Sequence, residues 1–186
     1  MNDPGMKLVN WLKFVSSKIP IAKKSYRQSH VGFAFLLDYV PNWKKAYGKE
    51  GLIQYQSFIP KEHAEAVYRK QFELCQEAGL IPYLAVFKRH RPDKFLFSHA
   101  VDGYSLALDF DVTEKYRDAL WKLCHKMNDV VLEAGGRFYF AKDATLRPED
   151  AKAYLADTIP AFRKWKVQLD PDNLLESELS KRLFQA

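Results

Sequence analysis

Five polar side chains occur along three short apolar segments, and each is of a type that binds polar ligands through hydrogen bonds. They are Gln54, Gln56, Lys88, His90 and Ser105. Successive side chains of a β-strand point to opposite faces of a sheet, so residues two apart share a face. Two amides, an ammonium, an imidazole and a hydroxyl would therefore meet on one surface among aromatic residues, which suits a small polar ligand. The alternative is a polar sheet face that is simply solvated.

A sixth candidate, Lys142, follows the last apolar segment at the point where strand pairing should end. A lysine in that position can extend over the sheet toward a ligand. A solvated lysine is the alternative, because the charged head stays in water when nothing binds it. The position alone leaves both roles open.

Other chemical signatures are missing from the sequence. The five histidines lack the close pairing of a zinc-binding helix, and no cysteine pair has the spacing of metal ligands. Cys75 and Cys124 fall on apolar helix positions, which indicates reduced core residues. No GxSxG, GxGxxG or GxxxxGK(S/T) motif is present. We therefore predict no metal site, no covalent nucleophile and no phosphate-binding glycine loop.

The candidate residues lie within a regular succession of strands and helices. Apolar, β-branched and aromatic residues indicate four strands, at 51–59, 83–90, 103–112 and 137–141. Three- and four-residue spacing indicates two helices, at 61–78 and 113–134, with Thr113 as an N-cap and Gly79 and Gly135 as the ends. The order βαββαβ predicts an α+β fold, a ferredoxin-like antiparallel sheet with both helices on one face. In the third strand, Leu106 and Leu108 would face those helices.

The flanks of this unit do not share its pattern. We divide the chain into an irregular and partly helical N-terminal segment (1–50), a sheet domain (51–143) and a C-terminal helical segment (144–186). The net charge of +6 is a weak signal for an anionic partner, because many basic residues alternate with acids on helix faces. No apolar run approaches the roughly 20 residues needed to span a bilayer, and no secretory signal is evident. A cytoplasmic protein without a transmembrane segment is predicted.

Several segments carry a family resemblance. They read GLIQYQSFIP at 51–60, VFK at 86–88, DGYSLALDF at 102–110, GGRFYFAKD at 135–143 and LDPDN at 169–173. Together they resemble FAD-linked oxidoreductases of the vanillyl-alcohol-oxidase type, most of all the decaprenylphosphoryl-ribose oxidase and aldonolactone oxidase-like group. The resemblance implies that an N-terminal domain binds FAD and that a C-terminal sheet covers the flavin and forms the substrate pocket. This chain resembles the second part, so most of the FAD would be held by a domain absent from it, in the same or a companion polypeptide.

The resemblance also implies roles for individual residues. Lys142 resembles the lysine at the pyrimidine edge of the flavin, where an ammonium would stabilise the anionic reduced ring, and Tyr139 would lie beside the flavin and the substrate. Gln56, Lys88 and Ser105 resemble substrate-pocket positions, in agreement with the face assigned from alternation. Ser105 differs from the residue that the group often carries, so the resemblance is not extended to a decaprenyl-linked substrate.

The predicted function is the substrate-binding part of an FAD-dependent oxidoreductase that oxidises a CH–OH group of a sugar, polyol or lactone. The isolated chain is expected to be inactive and colourless, and self-association is left open. An RNA-binding module is one alternative, because an RRM shares the strand order, but Leu106 and Leu108 stand where stacking aromatics would be needed, so no nucleic acid is expected. A non-catalytic interaction domain is the other alternative.

Overall fold

The computed structural model describes residues 3–19, 27–35, 42, 45 and 47–184. The chain divides into two compact units, Met1–Gly51 and Leu52–Ala186. The first unit contains the helices α1 (Asp3–Lys18) and α2 (His30–Ala34). Ser29 caps α2, since its hydroxyl oxygen accepts a hydrogen bond from the Gly32 N–H at 3.1 Å. Among the described residues, no helix combines the length and the apolar character needed to cross a membrane.

The second unit is built on a four-stranded antiparallel sheet. Its strands are β1 (Leu52–Pro60), β2 (Leu84–His90), β3 (Gly103–Asp111) and β4 (Arg137–Phe138), in the spatial order β2-β3-β1-β4. Helix α3 (Ala64–Ala78) follows β1, and α4 (Arg117–Glu133) follows β3. The predicted α+β class and the order of these elements are confirmed.

The helices pack against one face of the sheet, because the apolar side chains of the central strands alternate as predicted. Buried residues from both strands and both helices form one core: Tyr55, Ile59, Leu106, Leu108, Phe110, Val67, Cys75, Leu123, Met127 and Val131. A polar pair lies on the same side, where Gln71 of α3 donates to the Ser57 hydroxyl at 3.2 Å and both side chains are buried. Pairing satisfies the two groups that would otherwise be costly to bury.

Several predicted boundaries were wrong, among them the start of α3, which begins at Ala64 and not at Lys61. Thr113 does not cap α4, because a turn in which the Tyr116 N–H donates to the Thr113 carbonyl moves the start of the helix to Arg117. The fourth strand ends at Phe138, since the chain turns into a 3-10 helix at Phe140–Lys142. The first strand runs to Pro60, which pairs with Gly103, one residue beyond the predicted end at 59.

The glycine ends of the two helices are confirmed. Gly79 has φ 67° and Gly135 has φ 65°, a left-handed conformation that an L residue adopts only with strain. After Gly79 the Leu80 N–H donates to the Cys75 carbonyl at 3.0 Å, which closes α3.

The C-terminal part forms the helices α5 (Pro148–Tyr154), α6 (Ile159–Leu169) and α7 (Glu178–Phe184). Asp150 ties α5 to α4, because its buried carboxylate accepts hydrogen bonds from Asn128 at 2.8 Å and from the Arg147 backbone N–H at 2.9 Å. The same carboxylate pairs with the Arg147 guanidinium at 2.6 Å. The connection between β2 and β3 reaches these helices through Phe97, whose ring stacks on Phe184 at 5.3 Å.

Candidate functional site

The sheet face opposite α3 and α4, called the polar face below, carries most of the predicted site residues. Strand register places Ser105 opposite both Phe58 and Lys88, and places Gln54 opposite Asp109. The alternation read from the sequence therefore assigns the two faces correctly. Because β1 and β3 are the central strands, Gln54, Gln56 and Ser105 lie in the middle of the sheet, whereas Lys88 and His90 lie on the edge strand β2.

A chain of hydrogen bonds runs across three strands of the polar face. Gln56 donates through Nε2 to the Ser105 Oγ at 3.3 Å, and Ser105 Oγ lies 2.8 Å from His90 Nε2. Ser105 is fully buried and Gln56 is buried, while His90 is half-buried. Because the hydroxyl and the imidazole can each donate or accept, the direction of the second bond follows the His90 tautomer. The arrangement fixes the imidazole ring against the sheet.

A second polar pair lies further along the same two central strands. Gln54 Nε2 donates to Asp109 Oδ1 at 2.5 Å, and Asp109 is only 2% exposed. Burial of a carboxylate is costly unless hydrogen bonds compensate it. The Gln54 amide nitrogen is therefore occupied by Asp109, which makes this glutamine a supporting residue as well as a ligand candidate.

Aromatic rings form the apolar part of the polar face. Phe58 packs edge-on against His90 at a centroid distance of 4.8 Å and against His99 at 4.5 Å. His99 also contacts Tyr139 at 4.6 Å, and the two imidazoles are 6.5 Å apart. The result is a cluster of mutually inclined aromatic rings around Phe58, beside the hydroxyl and amide of the hydrogen-bonded chain.

The position of His99 could not be predicted from spacing, because it lies in the connection between β2 and β3. Arg137 of β4 holds this connection, donating through Nη1 to the Ser98 carbonyl at 3.1 Å and to the Ala100 carbonyl at 3.5 Å. Phe97 fixes it from the other side by packing on the C-terminal helices. The aromatic run FLFSHA at 95–100 was the available signal for an ordered connection.

Both imidazoles are held toward the neutral state. Burial lowers the pKa of His90, and His99, Lys88 and Arg89 nearby lower it further. Burial also lowers the pKa of His99, which Asp93 partly opposes. A neutral imidazole can accept a proton, and it can bind a hydroxyl as donor or acceptor.

The remaining candidates present unpaired polar heads. Lys88 and Lys142 are exposed, and neither ammonium has a hydrogen-bond or ion-pair partner among the described residues. The Tyr139 hydroxyl likewise has no hydrogen bond to any described residue, although its ring packs on Phe58 and His99. Lys142 lies three residues beyond Tyr139, at the end of the 3-10 helix. The structure thus brings Gln56, His90, Ser105 and Tyr139 together. Lys142 joins them through its backbone N–H, which donates to the Tyr139 carbonyl at 2.8 Å, while its ammonium contacts none of them within the described part of the chain.

Possible metal ligands and the environment of the two cysteines can be described for the same part of the chain. Within residues 3–19, 27–35, 42, 45 and 47–184, no group of three or more histidine, cysteine or acidic side chains could hold a metal ion. Cys75 and Cys124 are free and buried, and burial raises the pKa of each thiol to about 12. Both cysteines are core residues, as predicted.

Comparison with known proteins shows that the chain resembles an oxidase. The relative is decaprenylphosphoryl-β-D-ribose oxidase of Mycolicibacterium smegmatis, 29% identical over 178 residues. The match covers 89% of this chain and 37% of the relative, so the chain spans little more than a third of that protein's length. No family model matches the chain. The resemblance predicted from the sequence segments is confirmed as a distant similarity.

Proposed function

We propose that this chain is the substrate-binding part of an FAD-dependent oxidoreductase that oxidises a CH–OH group of a sugar, polyol or lactone. The observation that carries the proposal is the chain of hydrogen bonds from Gln56 through Ser105 to His90 beside the Phe58 ring, in a protein similar to an oxidase. Phe58 is only 1% exposed, so this arrangement would form the ordered floor of a site, and the half-buried rings of His99 and Tyr139 packed on it would meet the C–H surface of a hydroxyl-rich substrate.

We further propose that the sheet is a ferredoxin-like split βαβ unit. From the β4 edge its order is β4-β1-β3-β2, and each of the two helices connects a pair of strands that are separated by one strand in the sheet. Both central strands then present one face to the helices and leave the other for a ligand. This explains why the candidate substrate residues come from three different strands.

We assign the substrate contacts to side chains that still have donors or acceptors free for hydrogen bonds. Lys88 and Tyr139 have unpaired heads within the described residues, and both belong to the polar face or its edge. Gln54 is half-buried and offers its amide oxygen beside them, whereas the buried Gln56 and Ser105 would support the site from beneath. Together they would hold several hydroxyls of a small polar substrate in a fixed orientation.

FAD bound by a partner domain would supply the hydride acceptor for this oxidation. The residues present fit such a group, because Lys142 offers an exposed ammonium without a partner in the described chain and Tyr139 offers an aromatic edge three residues before it. Lys142 and Tyr139 are the residues that would hold the flavin from this side. A fixed positive charge there would stabilise negative charge that develops during the reaction.

Oxidation of a CH–OH group also releases the hydroxyl proton, and His90 is the group proposed to accept it. Its lowered pKa keeps the ring neutral near pH 7, and its bond to Ser105 fixes the ring orientation. In the tautomer in which Nε2–H donates to Ser105 Oγ, the other ring nitrogen carries the free lone pair. His99, packed on the same Phe58 ring, is placed to support this neutral state.

The test is made on the enzyme reconstituted with a flavin-binding domain, supplied in the same or a companion polypeptide. Bleaching of the flavin is followed by stopped flow over a panel of sugars, polyols and hydroxylated lactones. Lys142→Met should slow reduction about a hundred- to a thousand-fold, the loss of one preorganised electrostatic contact of about 2.7–4 kcal/mol. Lys164→Met on α6 is the matched control, also an exposed lysine, and should leave the rate unchanged.

Two results would count against the proposal. Failure of every substrate in the panel to bleach the flavin, in an enzyme with full flavin occupancy, would remove the assigned activity. Normal reduction by Lys142→Met with normal occupancy would remove Lys142 from the site and leave the activity standing. The 186-residue chain alone should be colourless after gel filtration, and stoichiometric bound flavin would show that this chain itself holds the cofactor.

A further inference from the structure

We propose that α1 is an interfacial helix that binds the surface of an anionic lipid bilayer. The helix has apolar side chains at Leu8, Trp11, Leu12 and Val15, a spacing of three and four residues that aligns them in one stripe. All four are exposed, between 38% for Val15 and 59% for Trp11. A stripe of large apolar groups in water is a binding surface, since isolated exposed residues are normal but aligned ones are not.

Charge complementarity selects the occupant of the stripe. At ~100° per residue, Lys7 and Lys18 lie about 40° and about 20° to one side of Trp11, so they border that edge of the stripe, while Lys13 lies on the far side of the helix. Lysines in that position can place their heads among lipid headgroups while the apolar stripe enters the acyl boundary. Tryptophan at such a boundary is favoured because its ring is amphipathic.

The distribution of charge along the chain also favours an anionic surface as the partner of α1. The first 35 residues contain six lysines or arginines and one acid, Asp3, so they hold five of the chain's six net positive charges. An anionic leaflet attracts basic residues close to an apolar helix face. α1 is 16 residues long and contains three lysines, so it lies in the plane of the surface and does not cross it.

A second copy of the chain is a poorer occupant than a lipid surface. Four side chains that are about half exposed present far less than the ~800 Å² per partner of a standard protein interface. An α1–α1 contact would also bring together two helices that each carry three lysines and a single acid, Asp3. A bilayer meets neither difficulty, because it supplies an apolar interior and negative headgroups at once.

The experiment is sedimentation of the full chain with vesicles of phosphatidylcholine alone or with one third phosphatidylglycerol. Binding to the anionic vesicles is expected, with weaker binding at high salt. Leu12→Ser should weaken it about tenfold, whereas the control Val9→Ser, an exposed apolar residue of the same helix outside the stripe, should change it less than twofold. Lys7→Gln with Lys18→Gln should weaken it about thirtyfold, roughly fivefold per lysine, and Lys13→Gln should have the smallest charge effect.

Several outcomes would overturn the proposal. No sedimentation with anionic vesicles would do so, as would equal binding of Leu12→Ser and Val9→Ser. A dimer in gel filtration that Leu12→Ser dissociates, without vesicle binding, would assign the stripe to a second copy. Far-ultraviolet circular dichroism of each variant establishes that the chain remains folded.

Discussion

Ser105→Ala is the substitution that tests the polar face most directly. Ser105 is fully buried, and its hydroxyl joins Gln56 to His90. Alanine fits the same space, so the change removes hydrogen bonds without a clash. The two bonds contribute about 0.5–1.5 kcal/mol each, and an amide left unpaired in the buried Gln56 costs about 1–3 kcal/mol. Since His90 is half-buried and can turn to water, we expect a net loss of about 2–3 kcal/mol.

The assay is thermal and urea unfolding of the 186-residue chain at pH 7.5. A loss of this size is a large part of the ~5–15 kcal/mol that stabilises a domain, and it should lower Tm by roughly 5–10 °C for a chain of this length. Ser17→Ala, an exposed serine of α1, should change stability by less than about 0.5 kcal/mol. Gln56→Leu combined with Ser105→Ala should cost less than the two single changes added together, by about 1 kcal/mol. Strict additivity, or a Tm shift below about 2 °C, would refute the hydrogen-bonded chain.

Three further predictions concern the core, the imidazoles and the C-terminal helices. Leu106→Asp should abolish the cooperative unfolding transition, because it buries an unpaired charge between the sheet and both helices. A thermal unfolding curve equal to that of the wild type would show that the two sheet faces are assigned the wrong way round. The pKa values of His90 and His99 are lowered in the folded chain, so the unfolded chain binds protons more readily below pH 6.5 and the free energy of unfolding should fall as the pH drops from 6.5. The double variant His90→Gln with His99→Gln should show a weaker dependence of the free energy of unfolding on pH. An unchanged pH dependence in urea titrations would contradict this. Asp150→Ala should lower the free energy of unfolding by about 2–4 kcal/mol, because Asn128 and Arg147 lose a buried hydrogen-bond acceptor. Helix α5 should then become susceptible to proteolysis. Protease resistance equal to that of the wild type would argue that Asp150 does not hold α5 against α4.

The elements of the sheet domain could be predicted because each is encoded locally. Periods of two and of three to four residues separate strands from helices, and the left-handed residues Gly79 and Gly135 mark the two helix ends. Thr113 failed as a cap because a turn and a helix start share the same residue preferences, and only the hydrogen bond to Tyr116 distinguishes them. The predicted length of the fourth strand was wrong for a related reason, because the apolar sequence RFYFA is compatible both with a strand and with the start of a 3-10 helix.

Only the site residues that lie on strands could be predicted, because the alternation of side chains assigns strand residues to one face of the sheet. Once the strands are right, the period of two places Gln56, Ser105 and His90 on one face without further information. The location of His99 depends on Arg137 and on Phe97, which are 38 and 2 residues away in sequence and act through the packing of β4 and the C-terminal helices. No local pattern contains such contacts, so the second imidazole became visible only in three dimensions.

The polar face has two layers, and this division bears on how a ligand would bind there. The inner groups satisfy one another: Gln54 holds Asp109, and Gln56 and His90 hold Ser105. The outer heads, those of Lys88 and Tyr139, have no hydrogen-bond partner among the described residues. A self-satisfied inner layer is fixed before a ligand arrives, because breaking any of its bonds leaves a buried polar group unpaired. Ligand recognition would then be made by the outer heads against a rigid floor, so substitutions in the inner layer should alter stability first and substitutions in the outer layer should alter binding first.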